Sequence, residues 1–95
     1  MPAYIVGMMK VSDSQKYSEY RAGVSRTMEQ YGGRFLVRGG ALQRLEGDSP
    51  ERRMVVVEFE SMEALQRFWN SPEYEALKKL RQAASDSDIW AVQGV

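Results

Sequence analysis

Three charged side chains sit where a charge is unexpected, and each invites a chemical reading. Arg38 lies in a strand-like stretch with Leu36 as its expected same-face neighbour, and a guanidinium in a partly apolar setting suits a carboxylate held by two parallel hydrogen bonds. That carboxylate belongs either to a substrate or to Glu46 or Glu58 in a structural ion pair. Glu58 stands mid-strand among apolar neighbours, placed either to move a proton or to pair inertly with an arginine. Arg81 follows Tyr74 and Leu77 at helical offsets, so it either closes one end of a pocket or snorkels over the core.

Aromatic residues supply the rest of the candidate chemistry. Tyr17, Tyr20 and Tyr31 recur on one helical stripe and either line a cavity, offering phenols to a ligand, or fill the core. Trp69 and Tyr74 flank the break Ser71-Pro72 and read as a pocket rim, as part of the dimer edge, or as packing. Gly23 interrupts the first helix, which makes sense if a ligand or neighbouring backbone approaches there. Asp86-Ser87-Asp88 lacks the further acids and the glycine of a calcium loop and reads as a turn, so no metal site is expected.

Composition narrows the field. The chain has 95 residues, 43% hydrophobic and 27% charged, consistent with one globular domain over 1–95. With no cysteine and no histidine it cannot build a thiolate nucleophile, a disulfide, an imidazole acid/base or a Cys/His metal site. Thirteen Lys+Arg balance thirteen Asp+Glu, so no long-range field draws it to nucleic acid or anionic lipid. No signal-peptide pattern and no apolar run near 18 residues is present, which makes the cytoplasm the expected location and a membrane an unexpected partner.

The elements that must position these residues follow from periodicity. Ala3 to Val11 reads as a strand, Ser12-Asp13 as a cap, and the helix carrying Tyr17, Tyr20, Val24, Met28 and Tyr31 stops at Gly32. Arg34 to Glu46 reads as a second strand bent at Gly39-Gly40, joined through the turn-rich 47–51 to a third strand at Arg53–Phe59. Ser61 caps a helix with Met62, Leu65, Phe68 and Trp69, Ser71-Pro72-Glu73 restarts it with Leu77, Leu80 and Ala84, and Ile89–Val92 forms the last strand after a turn at 85–88.

The order β-α-β-β-α(α)-β is the ferredoxin-like, α+β arrangement, a four-stranded antiparallel sheet with its helices on one face. Strand three offers Val55 and Val57 to one side and Met54 and Val56 to the other, and strand one behaves alike. A sheet apolar on both sides needs two covers, and a second copy is the simplest source of the missing one. Homodimerisation through the sheet face is therefore expected.

The string Tyr31-Gly32-Gly33-Arg34-Phe35-Leu36-Val37-Arg38-Gly39-Gly40, then Leu45-Glu46-Gly47, Val57-Glu58-Phe59, Trp69-Asn70-Ser71-Pro72-Glu73-Tyr74 and Arg81, resembles a bacterial family from end to end. That family is the domain of unknown function numbered thirteen-thirty, in the dimeric α/β-barrel superfamily. The resemblance implies the ferredoxin-like fold and a sheet-to-sheet homodimer, but no established reaction. Wider relatives include cofactor-free monooxygenases, muconolactone-type isomerases, haem-using peroxidases and ligand-sensing regulators. Without histidine, imidazole ligation of haem is excluded.

The expected function is then a homodimeric small-molecule binder or cofactor-independent enzyme for an aromatic, enol-like or carboxylate-bearing metabolite. In that reading Arg38 fixes the anion, Glu58 moves a proton, and Arg81, Tyr17, Tyr20, Trp69 and Tyr74 orient the ligand. The alternative is a non-catalytic ligand-sensing or interaction module. An RNA-recognition module shares the element order, but Arg53–Phe59 lacks its basic-glycine-aromatic motif.

Overall fold

The computed structural model describes residues 1–95. Its elements are β1 (Ala3–Val11), α1 (Ser14–Gln30), β2 (Arg34–Arg38), β3 (Arg53–Phe59), α2 (Met62–Trp69), α3 (Pro72–Ala84) and β4 (Ser85–Gln93). All strand pairs are antiparallel and the sheet order is β2-β3-β1-β4, so the ferredoxin-like α+β expectation holds.

Local chemistry explains the helix boundaries. The Asp13 side chain accepts from the Lys16 N–H at 3.1 Å, Ser61 from Ala64 at 3.1 Å, and Ser71 from Tyr74 at 3.2 Å. Pro72 opens α3 where its missing N–H costs nothing. α1 stops at Gly32, whose φ of +80° lies in the left-handed region, and the N–H groups of Gly32 and Gly33 close on the last carbonyls.

Strand alternation assigns the two faces. Ala3, Ile5, Met9, Val55, Val57 and Phe59 point to the helices and are buried, while Tyr4, Val6, Met8, Met54 and Val56 point away and are half-buried. The core lies between the first set and Tyr17, Tyr20, Val24, Met28, Leu65, Phe68 and Tyr74. With extents of 34 × 34 × 16 Å, the molecule is a two-layer slab with one sheet face uncovered. Its accessible surface of 6208 Å² exceeds the roughly 5,600 Å² that size scaling gives a monomer of its mass.

Two boundaries differ from expectation. β2 ends at Arg38 instead of Glu46, because Gly39 turns the chain at φ +70° and residues 40–52 leave the ladder. The 85–88 segment is strand, not turn: α3 runs directly into β4, and Ser85, Asp86, Ser87 and Asp88 pair with Val11, Lys10, Met9 and Met8. Serine and aspartate are poor strand formers, and here pairing with β1 overrides propensity.

Gly23 is explained by the neighbouring helix. A Cβ there would lie 2.8 Å from Leu77 Cδ2, so the close approach is made by α3. Gly33 is tighter, since a Cβ would lie 2.9 Å from Cζ of the fully buried Phe59 and also strike Met28. Gly33→Ala should therefore destabilise the fold by about 1–3 kcal/mol, read as a lower urea midpoint at unchanged m-value.

Candidate functional site

A bulge decides where Arg38 goes. Phe35 pairs with Val57, but Val37 pairs with Val56 and Arg38 with Val55, so one extra residue is inserted at Leu36. Simple alternation put Arg38 with Leu36. The bulge instead turns Arg38 to the helix side with Phe35, whose ring centroid lies 4.3 Å from its Cζ. Its Nη2 donates to the Arg21 carbonyl oxygen at 3.3 Å, and no carboxylate lies within ion-pairing distance.

Arg38, Arg21 and Arg53 border one cleft between α1 and the sheet, and none of the three forms an ion pair. Arg53 Nε donates to Tyr17 Oη at 3.1 Å, and that phenol donates onward to Met9 Sδ at 3.1 Å. Gly39 lets the guanidinium lie against its backbone, because any Cβ there would occupy the space of the Arg53 fork. Arg21 and Arg53 were not singled out from sequence, although Arg53 shares parity with Val55 and Val57, and Arg21 follows Tyr17 by one helical turn.

Below the arginines the lining is aromatic and aliphatic, including Tyr17, Tyr20, Phe35, Phe68, Trp69 and Tyr74. Gly7 contributes to the floor, where a Cβ would lie 3.0 Å from both Ile89 Cδ1 and Met9 Cε. The enclosed volume is about 40 Å³, room for roughly two or three waters. No Asp, Glu or Lys borders the cleft. Apart from the three arginines, its only ionisable side chains are phenols.

Glu58 is elsewhere. Strand parity puts it on the uncovered face, where Arg34 Nη2 donates to it at 2.8 Å and Tyr4 Oη at 3.3 Å. The expectation that Arg38 and Glu58 serve one pocket is thus corrected: the bulge and the pleat send them to opposite sides of the sheet. Glu58 pairs with an arginine, but the partner is Arg34.

Tyr17, Tyr20 and Tyr74 are buried at the cleft. Tyr20 and Tyr74 share a hydrogen bond of 3.0 Å between their hydroxyls, and Tyr74 stacks at 4.4 Å on Phe68. Trp69 packs against Tyr74 at 5.6 Å, and Arg81 donates from Nε to the Tyr74 hydroxyl at 3.4 Å with its guanidinium 5.9 Å from the indole, bordering a neighbouring cleft and not that of Arg38. Tyr31 turns outward and donates to Glu73 at 2.7 Å, a bond that holds the Glu73 carboxyl below its ordinary range.

A family model described as a domain of unknown function, DUF1330, matches residues 2–95. The chain belongs to this family. No curated protein matches it. Among solved structures, a protein of unknown function from Rhodopseudomonas palustris aligns with this DUF1330 chain at TM-score 0.81 and 20% identity, covering 99% of it and 82% of the relative. SnoaB, a cofactor-independent oxygenase from Streptomyces nogalater, aligns at 0.69 and 17%, covering 99% and 93%. A dimeric ferredoxin-like protein of unknown function from Jannaschia sp. aligns at 0.74 and 12%, covering 99% and 100%. At these identities the likeness is one of fold.

Burial pushes the Tyr20 phenol well above its ordinary 10.0, with the Tyr74 hydroxyl adding to the rise and Arg81 opposing it. The unfolded chain releases this proton near pH 10 while the folded chain keeps it, so stability is intact below that pH and falls as pH rises above it. Tyr4 and Tyr31 shift in the same direction. In denaturation curves taken from about pH 8 to 12, Tyr20→Phe should flatten the alkaline loss. An unchanged slope would show that Tyr20 titrates normally.

Proposed function

We propose that this DUF1330 chain is a homodimeric small-molecule-binding protein whose helix–sheet cleft takes an aromatic or enol-like acid. One observation carries the reading: three arginines without carboxylate partners, Arg21, Arg38 and Arg53, border an aromatic-lined cleft. A guanidinium fork suits a carboxylate held through paired hydrogen bonds, and a planar acid supplies one here. The apolar lining, with Phe35 at the mouth, then takes the ring or enol portion. Because the enclosed space is only about 40 Å³, a full ring enters by displacing Phe35 and Arg38 outward from the short edge strand β2.

Binding is favoured over carboxylate-driven catalysis by the same lining. No acid borders the cleft, and Glu58 is across the sheet. A second reading, cofactor-independent turnover of the kind named for SnoaB, is supported by Tyr17, whose oxygen already accepts from Arg53 at 3.1 Å. In that reading the arginines hold the conjugate base of an acidic substrate, and no carboxylate base is needed. Thermal-shift screening against aromatic and enol acids, followed by turnover assays on the hits, separates the two. With 2-hydroxybenzoate as probe, Arg38→Ala should weaken binding by about ten- to a hundredfold, the worth of a charge-assisted hydrogen bond, without changing the melting transition. Equal affinity in the variant would overturn the assignment of Arg38.

The dimer rests on the uncovered face. Val6, Met8, Met54 and Val56 lie at its centre, with Val37, Trp90 and Val92 beside them, Trp90 being 54% exposed. Four strands about 4.8 Å apart and five to nine residues long present roughly 480 Å² in projection, to which side-chain relief and the 39–52 arm add toward the ~800 Å² each partner contributes to a standard interface. Charges sit at opposite ends, Arg34 with Glu58 and Arg52 with Asp86 and Asp88, as in an apolar core with a polar rim. The 39–52 arm borders the Met8–Met54 end and carries Leu45 90% exposed, which a second copy would cover. Light scattering should give twice the 10.9 kDa chain mass, and Val56→Asp should halve it with an unchanged far-UV spectrum. A wild-type monomer at micromolar concentration would remove this claim.

A further inference from the structure

Arg81 is 4% exposed, yet no carboxylate pairs with it. Its one protein hydrogen bond is a long one, from Nε to Tyr74 Oη at 3.4 Å. The two terminal nitrogens have no protein acceptor, and no side-chain nitrogen in the structure is sealed away without one. They are therefore left to the adjoining cleft of about 350 Å³, between the end of α3 and the start of β4, bordered by Trp69, Gln82, Ser85, Ser87 and Ile89. A buried guanidinium is costly unless an anion completes its hydrogen bonds.

We infer that Arg81 anchors a second ligand site, separate from the Arg38 cleft, for a small monocarboxylate. The charge around it sets the class. Lys78 lies over Trp69 at 4.4 Å but is drawn to Glu75 at 3.9 Å, so Arg81 is the one uncompensated cation facing the cleft. Asp86 borders it with its carboxylate turned to Arg52 at 3.4 Å, which disfavours a dianion. One planar fork matches one planar carboxylate, whereas a phosphate dianion would need a further cation. The serines do not donate: Ser85 Oγ gives its hydrogen to the Arg81 carbonyl at 2.8 Å, and Ser87 gives its own to Ser85 at 2.7 Å. Gln82, exposed at the rim, offers the amide that can, and the Trp69 indole forms an apolar wall.

The chain has two tryptophans, so in a Trp90→Phe background all tryptophan emission comes from Trp69, which borders both clefts, and the Arg81 and Arg38 variants tell the two apart. Titration with acetate should change that emission saturably, and inorganic phosphate should need about tenfold higher concentration. Arg81→Lys, which keeps the charge and loses the fork, and Gln82→Glu, which places a competing carboxylate at the rim, should each weaken acetate binding at least tenfold. Arg38→Ala should leave it unchanged. Should Arg81→Lys fail to fold, Gln82→Glu on the exposed helix surface decides alone. No saturable change with acetate, an effect that survives in Gln82→Glu, or one that disappears in Arg38→Ala would each overturn the second site, the last by assigning the acetate signal to the first cleft.

Discussion

The pleat of the β-strand governs what this molecule can do. Because successive side chains alternate between faces, a strand such as Arg53–Phe59 that is apolar at nearly every position must present hydrophobic surface both ways. The helices cover one face, and their packing produces the aromatic core. The other face carries a second apolar set on the same backbone, so the fold leaves its surface unfinished at the level of one chain. Helix-side cleft and uncovered face are thus products of one alternation, back to back across a single sheet.

That constraint also separates charges that lie close in sequence or in pairing. Glu58 follows Val57 by one residue, and the single step carries it from the core side to the uncovered side. Arg34 and Arg38 sit on the same five-residue strand, yet Arg34 meets Glu58 while Arg38 faces Phe35 and α1. The inserted residue at Leu36 divides them. Without it Arg38 would join Arg34 on the outer face, and the cleft would lose one of its three cations.

Element order, the caps at Asp13, Ser61 and Ser71, the stop at Gly32 and the two-sided apolar character of β1 and β3 were legible in the sequence. Each rests on short-range chemistry or on a period that one chain displays by itself. The placement of Arg38 was not, because a bulge is defined by pairing with a partner strand, and nothing in Phe35-Leu36-Val37 marks which residue is extra. The same limit hid the extent of β4: Ser85 to Asp88 reads as turn on propensity and becomes strand only because β1 offers a long edge. Arg81 was recognisable as lying beside the apolar stripe of α3, but that it borders a different cleft from Arg38 is a tertiary fact.

The chemical character of the first cleft follows from what the sheet excluded from it. Its lining holds three arginines, three phenols and hydrocarbon but no acid, so it provides no carboxylate to accept a proton. Under the proposed function such a surface would select ligands that arrive already ionised or that become acidic when their conjugate base is held by guanidinium groups. For an enolisable or phenolic acid these are the same requirement, since the electrons that the ring shares with its oxygen are those the arginines attract. A protein base would add little to that stabilisation, and Glu58 is free to remain paired with Arg34 on the face where a second chain would cover it.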